Sequence, residues 1–500
     1  MTDFQKFTLL VLGFFPITFL RGQEPFEVRW SGSNKMQRND HRHRVVHADT
    51  GSIYCLGFHA KKKDLFDTGV PVLDRFNWEL QREHSDILAG FNRTDSISYR
   101  GLLNILGYTY LFYDKELEHL QHIFMVRRIN LKENRLEGDP IPIGDTLRIL
   151  KHTFAASPFI GGPLFGYQSL ASSYIINGDK VAFIFYKNLQ NFTVAVYNRK
   201  MKPLWQKKCA LPFDDRGTTL MDFNLTRTGE VIMEFRQYDK ILMNSWDERL
   251  SRDPFKPFLV QISGQSSDAN IYQLDVGKAY YGRLMSNEDE NGQVFFVSTY
   301  SDKEFNRSYG LVEYVIDPIT RKMTIHGPTP FSPELVAAIA PADSEKQPNS
   351  LQHFHLRMLN KTAEAEVLGE FHSEEGTGSL GNIALIQLDS AFRQMRGTSI
   401  VKSQIINSFD DQEEYLYEAI ARTNAGNFLF YNKNLSKNTT HFFTTFCDVN
   451  GEKQSYPIAP PADHSALFLS GSPNKYKNRY LMLAESELHD QYYLGVFEIK

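Results

Sequence analysis

The chain has 500 residues with 55 basic and 59 acidic side chains, a net charge of −4. That balance excludes a nucleic-acid or anionic-membrane partner held by bulk electrostatics. Its 38 Phe and 24 Tyr are strand formers in a chain long enough to bury a large core.

The N-terminus comes first. Lys6 precedes an apolar run over residues 7–20, followed by Arg21-Gly22-Gln23. The run is too short to span a bilayer comfortably and has the flanks of a signal peptide. Residues 1–22 read as the signal and 23–500 as one domain, with an uncleaved anchor as the alternative. No later stretch reaches transmembrane length, so the mature chain is expected to be exported: periplasmic, outer-membrane-associated or extracellular. Cys55, Cys209 and Cys447 are too few and too scattered for a disulfide framework or a zinc site. They read as small buried hydrophobes, with one long-range disulfide as the alternative. Glycosylation sequons begin at Asn92, Asn191, Asn224, Asn306, Asn360, Asn434 and Asn438.

From there, strand-like segments alternate with polar turns almost to the last residue. They group into spans 44–88, 99–150, 168–213, 218–275, 280–330, 350–405, 412–460 and 465–500, a spacing of roughly 40–55 residues. One hairpin phrase recurs: an apolar strand runs into Asn or Asp, turns, and resumes. Val194-Ala195-Val196-Tyr197 enters Asn198, Val312 to Ile316 enters Asp317, Ile383 to Leu388 enters Asp389, and Leu111-Phe112-Tyr113 enters Asp114. Asn and Asp suit such corners because their side chains cap the turn backbone. The pattern predicts an all-β chain, a β-propeller of about seven or eight blades. The last span is short, and Glu27-Val28-Arg29-Trp30 is placed to complete it, so N- and C-terminal strands close the ring. Two β-sandwich domains or an irregular β-rich fold are the alternatives. Residues 333–339 form the best helix, with Ser332 as cap, Pro333 at the first position and Glu334 in the first turn. A short helix or loop is read around residues 245–252, and residues 341–348 are the most linker-like stretch.

Val294 to Ser301, Tyr309-Gly310, Val315-Ile316-Asp317-Pro318-Ile319-Thr320, Phe331 to Leu335, Ile400-Val401-Lys402-Ser403-Gln404 and Phe428 to Asn432 together resemble a group of secreted, uncharacterised proteins of Bacteroidota. Asn198 to Trp205, followed by Leu211-Pro212-Phe213, is similar to an earlier blade of that group. The resemblance covers about half of the chain and implies a β-propeller-like fold and export. It supplies no catalytic residues. Where the group tends to read Phe-Asn-Asp, this chain reads Tyr431-Asn432-Lys433.

Several constellations bear on chemistry. His41 and His43 share a face if their strand is regular, with His47 nearby, and are metal-ligand types; the interleaved Arg42 and Arg44 favour a solvated basic edge. His353 and His355 flank Phe354 and read as a half-buried strand. Glu370, Lys402 and Gln404 belong to one proposed blade and are the ligand-binding candidates, lining a central channel; a solvated face or an inter-blade ion pair is the competing reading. The acidic runs Asp214-Asp215, Glu288-Asp289-Glu290, Asp410-Asp411 and Glu413-Glu414 invite a glycosidase reading, which needs two carboxyls at a set separation. Solvated turns explain them more simply. Residues 376–381 match a Gly-x-Gly-x-x-Gly pattern but precede a strand, so the helix start that cradles phosphate is missing. No nucleophile elbow, phosphate loop or zinc-protease motif occurs. No metal or cofactor is expected. The leading expectation is an exported, non-enzymatic binding propeller for a protein or glycan. A propeller glycoside hydrolase or lyase is the alternative, and a structural envelope component the third.

Overall fold

The computed structural model describes residues 25–500 apart from 37–39, 61–68, 90–96, 117–120, 149–171, 189–190, 211–217, 239–254, 267, 275–279, 282–283, 302–306, 342–348, 362–364, 373–378, 403, 406–418, 437–438, 449, 460–466, 470–473 and 487–490. The signal-peptide reading, the 245–252 element and almost all of the 341–348 stretch lie outside the described residues.

Eight antiparallel sheets form a ring of blades. Innermost strand first, blade 1 is Asp40–Ala48, Ile53–Ala60, Gly69–Phe76 and Arg82–Ile87. Blade 2 is Ile97–Ile105, Tyr108–Glu116, Gln121–Asn130 and Arg135–Arg148. Blade 3 is Ser172–Asn177, Lys180–Asn188, Asn191–Asn198 and Pro203–Ala210. Blade 4 is Thr218–Leu225, Val231–Tyr238, Phe255–Ile262 and Asn270–Gln273. Blade 5 is Met285–Glu288, Val294–Ser301, Gly310–Asp317 and Lys322–Pro330. Blade 6 is Phe354–Lys361, Ala365–His372, Ser379–Leu388 and Gln394–Ile400, the last continued by Gln404–Ile405. Blade 7 is Ala419–Thr423, Gly426–Ser436, Thr439–Asp448 and Lys453–Pro457. Blade 8 is Leu467–Leu469, Arg479–Ser486, Gln491–Ile499 and the N-terminal Phe26–Trp30. The expected propeller is the fold.

Eight hydrophobic clusters sit in seams between neighbouring blades, and a small ninth, Ala484 and Tyr493 with Trp30, lies within blade 8. In blade 3, Val181, Phe183 and Phe185 meet Phe112 and Phe124 of blade 2. On the opposite face, Ala182, Ile184, Val194 and Val196 meet Val231, Met233 and Phe235 of blade 4. Both faces are therefore buried, and residues 181–185 are at most 1% exposed. This is why the middle strands read as unbroken apolar runs rather than alternating ones.

Antiparallel order assigns the connections to two ends of the ring. The first-to-second turn of every blade and the third-to-fourth turns of blades 1 to 7 lie at one end, here the turn end. The strand ends that lead into the second-to-third and blade-to-blade connections lie at the other, the crossover end. The Asx corners belong to the turn end. Asn198 Oδ1 accepts from the N–H groups of Lys200 and Lys202 at 3.0 and 3.1 Å. Asp389 Oδ1 accepts from Ala391 and Arg393 at 3.0 and 2.8 Å. Asp317 Oδ1 accepts from Ile319 and Thr320 at 2.9 and 3.0 Å. The caps let Met201 and Phe392 take left-handed φ values of +58° and +61°, and both side chains plug the core below. Asp114 differs from the expected corner: it lies inside Tyr108–Glu116, paired with Phe124.

The Pro333–Ile339 helix forms as read. Ser332 Oγ accepts from Leu335 N–H at 3.1 Å, and Leu335, Val336 and Ile339 are buried. Leu335 packs on Gly397 of blade 6, where an added Cβ would stand 2.4 Å from its Cδ1. The three cysteines are free, two of them buried. Asn224 is only 9% exposed, too enclosed to carry a glycan in the folded state. Among the described residues no helix is long and apolar enough to cross a membrane.

Ring closure is the N-terminal strand's work. Phe26–Trp30 pairs antiparallel with Gln491–Ile499, from Phe26 opposite Ile499 to Trp30 opposite Gly495. Phe26 stacks on Phe497 with centroids 4.7 Å apart and meets Phe428 of blade 7 edge-on at 6.0 Å. The Trp30 ring covers Gly495, leaving an added Cβ 2.4 Å from Cζ3. At the seam from blade 8 to blade 1, the buried Tyr492 hydroxyl donates to Asp74 Oδ2. Burial first, and then the Asp74 charge, push the Tyr492 phenol well above its ordinary value.

Two outcomes check this closure. Phe26→Ala is expected to cost about 3–5 kcal/mol in urea unfolding, and the exposed Ile319→Ser under about 0.5 kcal/mol; equal effects would show that the N-terminal strand is dispensable. A phenol with a raised folded-state pKa contributes stability that is complete below its unfolded pKa of about 10 and lost as pH rises beyond it. Tyr492→Phe should therefore flatten the fall in stability above pH ~10, while lowering stability at neutral pH because Asp74 loses a donor; an unchanged alkaline slope would remove Tyr492 from that role.

Candidate functional site

Blade 6 holds a buried ionic cluster built from its first three strands and the stretch just beyond its fourth. Glu370, on the second strand, has no solvent exposure. Its Oε1 accepts from Lys402 Nζ at 2.6 Å. Its Oε2 accepts from Arg357 Nε and Nη2 at 3.1 and 2.9 Å. Lys402 lies just beyond Gln394–Ile400, and its backbone N–H donates to Asn382 Oδ1 on the third strand at 3.3 Å. Charge-assisted bonds of this length are among the stronger ones, and the low local dielectric makes them matter more.

The cluster reaches the axis through Arg357. The innermost strands of neighbouring blades approach one another around the axis, including Met285–Glu288 with Phe354–Lys361 and Ser172–Asn177 with Thr218–Leu225. Arg357 stands midway along one of them, the fourth of eight residues, with its side chain 24% exposed and its guanidinium bonded to Glu370, which lies toward the crossover end of the second strand. It is the extra residue of a β-bulge: Leu356 faces Gly369, but Met358 faces Leu368. Bulges re-aim a side chain that regular pleating would send elsewhere. The same slip occurs at the fourth residue of the innermost strand in blade 2, at Arg100, and in blade 4, at Met221.

Two of the three expected site residues thus come together. Glu370 and Lys402 pair within one blade instead of across two, and both are buried rather than lining a channel. Gln404 pairs with Leu380 on the strand's continuation, and its side chain lies outside the described residues. Sequence reading missed Arg357, because regular alternation from His355 gives no hint of the bulge.

Blade 7 packs against the cluster. Tyr431 is buried, and its hydroxyl bonds Thr445 Oγ1 at 2.9 Å, which in turn bonds Ser455 Oγ at 2.8 Å. Burial raises the Tyr431 phenol, while Thr445, Ser455 and the Lys402 charge partly oppose that rise.

The other constellations resolve as structure. Glu288 Oε1 and Oε2 each accept from the Arg227 N–H at 3.0 Å, and Oε2 also accepts from Asn177 Nδ2 at 2.6 Å. That carboxylate ties blades 3, 4 and 5 at the turn end. Asp289 caps a turn through the Asn291 and Gln293 N–H groups, both at 2.9 Å. The other acidic runs lie outside the described residues. His353 sits in a turn at φ +54°, so it does not share a strand face with the exposed His355. The strand carrying His41 and His43 slips register between His41 and Arg44, which breaks the alternation assumed for them; their side chains lie outside the described residues. Among the described residues no three His, Cys, Asp or Glu side chains converge as metal ligands.

Removing one partner of a buried ion pair strands the other charge. Lys402→Met and Glu370→Gln should each cost about 3–5 kcal/mol in denaturant unfolding, with the double variant recovering part of the loss. Additive losses in the double-mutant cycle would show that the two groups do not act as a pair.

No protein-family model matches the chain, and no curated protein matches it. Solved structures do. A prolyl endopeptidase shares 9% identity at a TM-score of 0.40, over 92% of this chain and 54% of that one; this chain spans about half its length. A protein of unknown function from Dyadobacter fermentans shares 10% identity at a TM-score of 0.34, over 68% of this chain and 98% of that one. One of unknown function from Bacteroides caccae shares 9% identity at a TM-score of 0.29, over 70% and 94%. At these identities and TM-scores the likenesses say nothing about activity.

Proposed function

We propose that the protein is an exported, non-enzymatic binding propeller that holds a protein or glycan partner at its crossover end, with Arg357 as the contacting residue. The observation that carries this reading is the fixed guanidinium of Arg357. A fully buried carboxylate, itself held by Lys402, grips one edge of it while about a quarter of the side chain stays exposed. A cation held in one orientation loses little entropy on binding, which suits recognition of a polar group. Glu370 and Lys402 then act beneath the contact surface as its foundation, and Gln404 lies on the adjoining strand. Export and a place at the cell envelope or beyond rest on the apolar run after Lys6 and on the resemblance to secreted Bacteroidota proteins.

A glycan array probed with the purified chain tests the reading. Arg357→Ala should weaken binding by about tenfold or more, the scale of a lost charged contact, and should also lower thermal stability because the buried Glu370 carboxylate loses two donors, so binding is compared well below the variant's own unfolding midpoint. Arg357→Lys should not restore full binding, because an ammonium lacks the planar fork. Binding indifferent to both variants would overturn the assignment of Arg357, and release of new reducing ends from a bound glycan would replace binding with hydrolysis.

A further inference from the structure

The turn end carries a second feature, on blades 2 and 3. Arg199, Lys200 and Lys202 occupy the third-to-fourth turn of blade 3, and all three are exposed. Their backbone is held firmly. Asn198 caps the turn, Met201 is buried beneath it at 2% exposure, and the Tyr110 hydroxyl of blade 2 donates to Arg199 O at 2.8 Å. Beside them, Tyr108 gathers two guanidinium groups: Arg128 Cζ lies 4.7 Å from the ring centroid and Arg199 Cζ 5.8 Å. Two like charges are thus drawn to one ring on a chain whose overall charge is −4.

The nearby acids do not balance them. Glu137 lies 3.6 Å from Arg128, and Asp179 lies 2.8 Å from Lys180. The bond from Lys180 first, and the Arg199 charge among lesser causes, hold the Asp179 carboxyl below its ordinary range. Among the described residues, the ion pairs of Arg128, Lys180, Arg199, Lys200 and Lys202 are limited to Glu137 and Asp179. Leu106, 59% exposed in the adjacent turn of blade 2, and Leu204, 47% exposed just after the basic turn, add apolar surface.

We infer that this patch is a docking surface for an acidic glycan, one bearing carboxylate or sulfate groups. Guanidinium groups take such oxyanions in bidentate fashion, and a polymer of repeated charge engages several fixed cations at once. A flat anionic bilayer fits poorly. The same end of the ring presents acidic turns at Asp289-Glu290, Asp317, Asp389 and Asp448 on blades 5 to 7, which such a bilayer would meet together with the basic turn. A nucleic acid fits poorly as well, since the Tyr108 ring is already engaged by two guanidiniums and by Tyr110, leaving no platform for a base. The surface lies at the opposite end of the ring from Arg357 and does not depend on it.

The test uses the full chain on immobilised heparin, with neutral dextran as control. The wild type is expected to be retained at about 50 mM salt and released as salt rises. Arg199→Ser/Lys200→Ser/Lys202→Ser should weaken binding at least about tenfold, with unfolding unchanged. A charge-matched triple variant elsewhere on the turn end, Lys322→Ser/Arg393→Ser/Lys477→Ser, should bind like the wild type. No retention of the wild type, equal loss in both triple variants, or tighter binding to single-stranded DNA or to anionic vesicles than to heparin would overturn the inference. Arg357→Ala should leave heparin binding unchanged, so failure at one end of the ring is separable from failure at the other.

Discussion

Burial of every blade on both faces is the constraint from which the rest follows. Phe183 and Phe185 have no place but against Phe112 and Phe124, and Ile184 none but against Met233 and Phe235. A single blade would leave two apolar faces in water, so stability belongs to seams rather than to sheets. A ring has as many seams as blades only when it closes. That is why five N-terminal residues, Phe26–Trp30, matter out of proportion to their number: they finish blade 8 and let Phe26 join blades 7 and 8.

The same constraint separates scaffold from surface. Seams consume the faces of the sheets, so recognition is left to the two ends of the ring. At the turn end, short corners capped by Asn198, Asp317 and Asp389 hold their backbones rigid, and whatever side chains they display are displayed in fixed positions. Backbone N–H donors at Asp389 and Asp317, foremost those of Arg393 and Thr320, keep both carboxyls below the ordinary range. They are structural acceptors rather than reactive acids. The bulge at Arg357 breaks the pleat midway along an innermost strand, and its side chain, held by Glu370 toward the crossover end, stays partly exposed.

The ionic cluster of blade 6 has a physical cost, since two charges leave water entirely. What the arrangement supplies is placement. Glu370 receives Lys402 on one oxygen and Arg357 on the other, so one carboxylate fixes the innermost strand, the second strand and the stretch beyond the fourth. A hydrophobic trio of similar volume would pack there without orienting any polar group toward the axis.

Much of the architecture was legible in the sequence. The spacing of units, the apolar runs entering Asn198, Asp317 and Asp389, the capped helix at Pro333–Ile339 and the closing strand at Glu27 to Trp30 all depend on local patterns, and unbroken apolar runs and turn chemistry act over a few residues. Asp114 was misread because an Asp after an apolar run has the same local pattern inside a strand as at its end. Glu370 and Lys402 were legible as members of one blade, but as channel-lining candidates with an inter-blade ion pair as the alternative; neither their pairing with each other nor its depth could be read, because burial depends on how blade 7 covers them. Arg357 was invisible: a one-residue slip between two strands leaves no mark on either strand alone. The gathering of Arg128 and Arg199 on Tyr108 belongs to the same class, since the residues lie on two blades and meet only through the ring. Sequence by itself determined the strands, the corners and the kind of ring they build, because those follow from neighbours along the chain. Only the tertiary structure decided which charged groups meet, how deeply they lie and which end of the ring they serve, because those follow from register and from packing between blades.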